Sequence, residues 1–379
     1  MEATPALKRI SKSKVITEQQ KKRLEAEKQI LQQVKSPFLC QGFTSFETVD
    51  EISILLEYVE GRALYECVWN YRDTGKFSEN VTKYFAAQLV LALKDLHAQG
   101  YIHRDLKSGN VLVGKDGFAK VIDFGLAWRV SDVIVEGGGR TLSMCGTHYI
   151  MAPEIRIRQQ YGFEVDWWSL GVVIYEMVIG RPPWEYKCPY GSTVDEYFEH
   201  VTHTAKCLFH GADESTRTLE QGLSIELRSL IRGLLTIDPQ KRLGTNGATE
   251  IMDHTWFLDV SWDLLEKKDK SMAIPYDIQV DYNAARIRIP DQIGSLSSAE
   301  SIDPEDNAKY KVYDNSRQDA LEISSCDNSP INHSAYHTPS RSMQKSYYSV
   351  PFVYGLKTYV SYMEYDDWLK INSLLRLVC

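Results

Sequence analysis

The residues with the clearest chemical potential lie in one run, His103-Arg104-Asp105-Leu106-Lys107-Ser108-Gly109-Asn110. It is followed by Asp123-Phe124-Gly125 and later by Ala152-Pro153-Glu154. A carboxylate such as Asp105 can orient a hydroxyl nucleophile and take its proton. Asn110 and Asp123 offer hard oxygen ligands of the kind magnesium takes. Lys107, close behind Asp105, can neutralise charge that develops on a transferring phosphate. These types together suit phosphoryl transfer to a hydroxyl, in which the protein supplies positioning and charge stabilisation. Each run alone has a plain structural reading: Asp105 a loop residue, Asp123 a turn former, Pro153 a helix starter. Three in this order and spacing are not expected by chance.

Other elements must hold these groups in place. Residues 1–60 mix short β-type runs with one charged helix, residues 61–260 carry mostly helical patterns, and residues 261–379 change character. Thr17 and Gln20 make a capping box at the start of the charged helix. Leu24, Leu31 and Val34 follow three- and four-residue spacing and mark its inward stripe. Glu27 falls inside that stripe. A buried carboxylate needs a partner, and a lysine on a neighbouring strand would supply one; the alternative is a solvated Glu27 on a helix rich in Lys and Glu. Phe85, Leu89, Ala92, Leu93 and Leu96 form a second apolar stripe leading to Gly100 and the run around Asp105. The apolar segment Leu170–Ile179 contains Glu176, is too short to span a bilayer, and reads as a buried helix. Between about Gly294 and Ser346 the chain is rich in Ser, Asn, Asp and Glu, and partial disorder is expected there. Aromatic residues return from Val350 to Val378.

The 379 residues are 43 % hydrophobic and 25 % charged, a globular composition, and the formal charge of −8 argues against nucleic acid as the main partner. Seven Cys, without a Cys-x-x-Cys pair or Cys/His metal spacing, read as reduced thiols. No apolar stretch suited to a signal peptide follows Met1, so a cytoplasmic or nuclear location is expected. No membrane span is expected either.

The order His-Arg-Asp, Asp-Phe-Gly, Ala-Pro-Glu resembles that of a protein kinase. Thr141-Leu-Ser-Met-Cys-Gly-Thr147, Asp166-Trp-Trp-Ser-Leu-Gly171 and Asp238-Pro-Gln-Lys-Arg-Leu-Gly244 narrow the resemblance to AGC-group serine/threonine kinases, with the cyclic-nucleotide-dependent kinases the nearest in kind. It covers about residues 6–257. It implies an α+β, bilobal protein kinase fold with a truncated small β-lobe (1–60), a mainly helical large lobe (61–260) and an AGC-type tail (261–379).

By that resemblance Asp105, Lys107, Asn110, Asp123 and Thr147 are catalytic, and Asn110 and Asp123 bind Mg2+. ATP is the phosphoryl donor, and proteins bearing Ser or Thr acceptors are the substrates. Ala6-Leu7-Lys8 stands as the third strand of the small lobe, with Lys8 on the α- and β-phosphates and Glu27 as its partner. Leu56-Glu57-Tyr58-Val59 is the hinge to adenine, with Leu112 beneath it. Glu154 pairs with Arg242, and Asp166 ties to the catalytic-loop backbone. Ser143 is the activation-loop phosphosite, served by an upstream kinase, with Arg104 as the basic partner; an ordinary loop serine is the alternative. His337-Thr338-Pro339 and the segment Pro351–Tyr359, with Thr358, resemble a turn site and a hydrophobic motif, and Phe352 and Tyr359 would dock beside the Thr17–Val34 helix.

Departures from the family pattern carry expectations of their own. Only five residues precede Ala6 and none is Gly, so this chain is expected to lack the glycine-rich hairpin and to bind ATP weakly or serve as a noncatalytic scaffold. Ala63 and Gly109 stand where basophilic relatives have acidic residues, leaving Glu176 as the one acidic subsite. His148-Tyr149 replace Pro-Glu in the wall facing the residue after the acceptor. The long loop from Leu126 to Arg140, with Gly137-Gly138-Gly139, is expected to be mobile.

Overall fold

The computed structural model describes residues 5–71, 74–130, 141–184, 193–209 and 222–269. Thr338, Thr358, Phe352, the stretch 294–346 and the three glycines 137–139 lie outside the described residues.

The N-terminal lobe is one antiparallel sheet and one helix. Strands β1 (Pro5–Ser11), β2 (Gly42–Glu47) and β3 (Glu51–Glu57) run in the order β1-β3-β2, with Lys8 opposite Ile54. β3 is central and is buried from Ile52 to Leu55, as expected of a strand covered on both faces. Helix α1 (Glu18–Gln33) lies on this sheet. Its start is the capping box read from the sequence: Gln20 N–H donates to Thr17 Oγ1 at 3.1 Å, and Thr17 N–H donates to Gln20 Oε1 at 2.9 Å. Leu24, Ala26, Glu27, Ile30 and Leu31 are its buried residues. Gly42 lets helix and strand approach closely, since a Cβ there would stand 2.9 Å from Leu31 Cβ.

The C-terminal lobe is mainly helical. β4 (Gly61–Ala63) leads into α2 (Leu64–Trp69) and then the long α3 (Glu79–Ala98). The stripe Phe85, Leu89, Ala92, Leu93 and Leu96 is buried. β5 (Tyr101–Ile102) enters the catalytic run and pairs with β8 (Trp128–Arg129), while β6 (Val111–Gly114) lies between β4 and β7 (Ala119–Val121). After α4 (Pro153–Arg156), α5 (Glu164–Ile179) is buried along its whole length, Glu176 included. The two tryptophans of α5 are among the largest fully buried side chains. Large aromatic rings bury much apolar area, which makes this helix the axis of the lobe. α6 (Val194–Cys207), α7 (Ile225–Leu234), α8 (Ala248–Met252) and α9 (Trp262–Glu266) complete it. Leu265 of α9 is buried, and Lys94 of α3 pairs with Glu266. This is the bilobal α+β fold expected from the sequence.

Candidate active site

The lobes meet around three acidic side chains. Lys8 on β1 reaches Glu27 Oε1 at 2.6 Å and Asp123 Oδ1 at 3.4 Å. The carboxylate in the apolar stripe of α1 has therefore found the strand lysine, and the solvated reading of Glu27 does not hold, since it is buried. Burial alone would push the Lys8 ammonium down, but Glu27 and Asp123 outweigh it, and its pKa stands above the ordinary lysine value. Burial likewise pushes Asp123 up. Lys8, the Gly125 N–H at 3.0 Å and nearby His103 outweigh that, so its carboxyl titrates below the usual range.

Asp105 sits in a loop held from below. Asp166, near the start of α5, accepts the backbone N–H groups of His103 and Arg104, each at 2.8 Å, and contacts His97 Nε2 at 2.7 Å. Asp166 thus holds two N–H groups of the loop backbone. Arg104 adopts a left-handed conformation (φ 68°) that a side chain rarely takes. Surrounding structure must hold such a residue, and such residues gather at functional sites. From the opposite side, Thr147 donates to Asp105 Oδ1 through its N–H at 2.9 Å and its hydroxyl at 2.7 Å. Lys107 Nζ lies 2.9 Å from Asp105 Oδ2 and 2.8 Å from Thr147 Oγ1. Gly146 makes this approach feasible: its φ is 118°, and a Cβ there would stand 2.7 Å from the Arg104 carbonyl oxygen.

Two oxygens remain here that suit a hard cation. Asn110 Nδ2 donates to the Asp105 carbonyl at 2.9 Å and to Asp105 Oδ2 at 3.0 Å. Its Oδ1 is buried and has no hydrogen-bond partner. A buried amide oxygen without a partner is costly unless a cation or water completes it. Asp123 Oδ1 is occupied by Lys8 and Gly125, which leaves Oδ2 on the same carboxylate for a metal. One carboxylate and one amide oxygen, with phosphate and water oxygens, suit an octahedral hard cation.

Of the four residues expected to form the hinge, Leu56 and Glu57 end β3 and Tyr58 and Val59 follow it. The Glu57 side chain accepts the Gln41 N–H at 2.8 Å and pairs with Lys120. Val59 lies in the short connector to β4, whose Ala63 is the cross-strand partner of Leu112 on β6. Glu154 and Arg242 form a buried two-point ion pair at 2.5 and 2.9 Å. Glu176 is only 3 % exposed, so the expected acidic subsite lies beneath the surface. His148 packs near the rings of Tyr197 and Phe198 on α6.

Sequence reasoning passed over several residues here. Tyr161, 0 % exposed, stands between Arg104 and Ser143. Trp128 lays its ring 5.2 Å from the Arg104 guanidinium. Gln19 donates to Ser143 Oγ at 3.0 Å.

Residues 2–257 match the family described as "Protein kinase domain". The chain belongs to the protein kinase family. It is 34 % identical over 273 residues to the cAMP-dependent protein kinase catalytic subunit of Dictyostelium discoideum, an alignment covering 71 % of this chain and 38 % of that protein. It is 34 % identical over 264 residues to Protein kinase 2 of the same organism, covering 70 % and 50 %. Ribosomal protein S6 kinase beta of Caenorhabditis elegans is 34 % identical over 279 residues, covering 73 % and 46 %. The chain therefore spans half or less of the length of these relatives. Their names agree with the AGC-type motifs noted above.

Proposed function

We propose that this protein is an ATP-dependent serine/threonine protein kinase of AGC type. The observation that carries the reading is the closed pairing of Lys8 with Glu27 and Asp123, facing an Asp105 that already holds Thr147, Lys107 and Asn110. Asp105 orients the acceptor hydroxyl and takes its proton, while Lys107 offsets charge on the transferring group. Asn110 and Asp123 would hold magnesium, which would supply charge neutralisation at the donor phosphates. Lys8, kept in place by Glu27, grips those phosphates, and the backbone around Glu57 and Val59, with Leu112, receives adenine. The full complement of charged residues favours catalysis over a scaffold role. The named serine/threonine kinases among the relatives support protein acceptors.

Ser143 is our candidate for an activating phosphate placed by an upstream kinase, because the Arg104 guanidinium is one hydroxyl away through Tyr161. Beside α1 a cavity of about 300 Å³ is lined by Lys12, Val15, Lys21, Leu24, Lys28 and Ile52, among others. Its apolar floor suits the proposed docking of Phe352, while on its rim Glu25 and Glu47 stand among the lysines and Glu47 already pairs with Lys12 and Lys28. None of the described helices is long and apolar enough to cross a membrane.

The test is transfer of labelled γ-phosphate from Mg-ATP to a mixture of Ser, Thr and Tyr peptides. Label on Ser and Thr that vanishes in Asp123→Asn is expected. Equal labelling in that variant, or nucleotide binding without any transfer by the native protein, would overturn the reading.

A further inference from the structure

Two charged side chains join the lobes behind the cleft. Lys120 lies on β7, three residues before Asp123, and Glu57 is the last residue of β3. Lys120 Nζ pairs with Glu57 Oε1 and also donates to the Leu39 carbonyl at 3.4 Å. The same Glu57 oxygen accepts the Gln41 N–H at 2.8 Å, and the Glu57 N–H donates to the Gln41 carbonyl at 2.9 Å. Residues 38–40 meet β7 through the backbone. The Cys40 N–H donates to the Val121 carbonyl at 2.8 Å, and the Val121 N–H donates to the Phe38 carbonyl at 2.9 Å. The Lys120 and Glu57 side chains are 14 % and 24 % exposed, so salt and water screen the pair only in part. Lys268, also close to Glu57, gives its ammonium to Asp116 at 3.3 Å.

We propose that Lys120 and Glu57 are positioning residues that set the separation between the adenine end and the phosphate end of the cleft. The strand that carries Lys120 leads in three residues to Asp123, and the strand that carries Glu57 leads in two to Val59. A nucleotide must satisfy both ends at once, its adenine on the backbone around Glu57 and Val59, its phosphates beside Lys8 and Asp123. The two strands belong to different sheets, β3 to β1-β3-β2 and β7 to β4-β6-β7. The backbone bonds reach from β7 to residues 38–40; among the described residues, the direct bond between β7 and β3 is the ion pair. A ligand that spans both ends then meets anchors already at the right separation, which lowers the ordering cost of binding. Adenosine, which reaches one end alone, gains nothing from that separation.

The proposal rests on the kinase reading for its nucleotide, and one arm of its test needs no nucleotide. Lys120→Met, Lys120→Arg, Glu57→Gln and the double variant Lys120→Met with Glu57→Gln are made in the full chain. Glu57→Gln removes the charge and keeps an acceptor for Gln41. In titration calorimetry Lys120→Met is expected to weaken Mg-ATP binding by about threefold to tenfold, the reach of one net hydrogen bond, and adenosine binding by less than about twofold. Lys120→Arg, which keeps the pair, is expected to restore Mg-ATP affinity. The double variant is expected to bind Mg-ATP no more weakly than Lys120→Met, because the two residues act through one bond. In steady-state kinetics the KM for ATP rises in Lys120→Met while kcat stays within about twofold. In the nucleotide-free protein, hydrogen exchange at the Cys40 and Val121 amides is expected to be faster in Lys120→Met than in the native chain.

Unchanged Mg-ATP affinity in Lys120→Met, equal losses for adenosine and Mg-ATP, multiplying effects in the double variant, or unchanged exchange at Cys40 and Val121 overturns the proposal. Should Lys120→Met fail to fold, Glu57→Gln carries the same comparison of Mg-ATP with adenosine, with the same outcomes. A native protein that binds Mg-ATP without transferring phosphate would sink the functional reading, and the binding and exchange arms would still decide this one.

Discussion

Thr147 gives both its backbone N–H and its hydroxyl to the same oxygen of Asp105, at 2.9 and 2.7 Å. Thr147 thus holds the carboxylate that we propose orients the acceptor hydroxyl. Thr147→Val keeps the shape and the N–H but removes the hydroxyl, and with it the partner of Lys107 at 2.8 Å. A charge-assisted hydrogen bond of about 1.5–3 kcal/mol corresponds to a loss of about tenfold to a hundredfold in kcat. Steady-state kinetics with a peptide substrate and saturating ATP check this. A variant with wild-type kcat would show that Asp105 is held by other means.

Substrate choice follows from missing carboxylates. Ala63 borders the hinge, Gly109 precedes Asn110, and Glu176 is buried. No exposed acid at those three positions can meet an arginine upstream of the acceptor. Peptides with Arg three residues before Ser or Thr should be favoured by no more than a few-fold over Ala, roughly half a decade in kcat/KM. Ala63→Glu should raise that preference by about tenfold, the worth of one charged hydrogen bond. A peptide array of the native protein dominated by upstream Arg refutes the idea.

Much of this site was legible in the sequence, and the reason is locality. Asp105, Lys107 and Asn110 share one loop, so their spacing nearly fixes their geometry. Thr17 and Gln20 announce the helix start in four residues, and the stripe through Leu24 and Leu31 places Glu27 inward. Glu154, Asp166 and Arg242 were legible only by resemblance, since their partners are far apart in the chain. The contacts through Gln19, Tyr161 and Trp128 had no such guide. They depend on the path of a loop and on β8, a strand of two residues that has no periodicity to read. Nor could any pattern show that Asn110 turns its nitrogen to Asp105 and leaves its oxygen bare.

Arg242 offers a test of packing apart from catalysis. Besides its two bonds to Glu154, Nε donates to the Thr236 carbonyl at 2.9 Å, Nη1 donates to the Glu164 carbonyl at 2.9 Å, and the guanidinium lies 5.1 Å from the Trp168 ring. Arg242→Ala strands a buried carboxylate and several carbonyls. Breaking one side of such a pair costs about 3–5 kcal/mol, more than the intact pair contributes over an apolar replacement. Chemical unfolding of the native protein and the variant measures it. Glu154→Gln should cost less, because the amide oxygen still accepts from Arg242. A loss under about 1 kcal/mol in Arg242→Ala would show that the site collapses around the deletion.

Acid should destabilise the fold, and His103 should supply the first part of the effect. Burial keeps its imidazole below the ordinary histidine pKa, with Asp166, Asp105 and Asp123 pulling the other way. Its ring accepts the Asp105 N–H at 3.2 Å through Nδ1 and stacks edge-on to Phe124. Between the folded and unfolded pKa values the unfolded chain binds more protons, so stability rises with pH there and falls as pH drops below about 6.5. Asp123 and Asp166, both held below the usual carboxylate range against the pull of burial, act in the same direction at lower pH. Their contribution is present above about pH 3.9 and is lost as pH falls through their folded values. The thermal midpoint should therefore decline from pH 7 to pH 5, before the carboxylates titrate. In His103→Phe, which keeps the ring against Phe124 but cannot take a proton, that early decline should shrink while the fall below pH 4 remains. Calorimetry of both proteins across pH 3.5–7.5 decides it; an unchanged slope between pH 7 and 5 in the variant would assign the early loss to other groups.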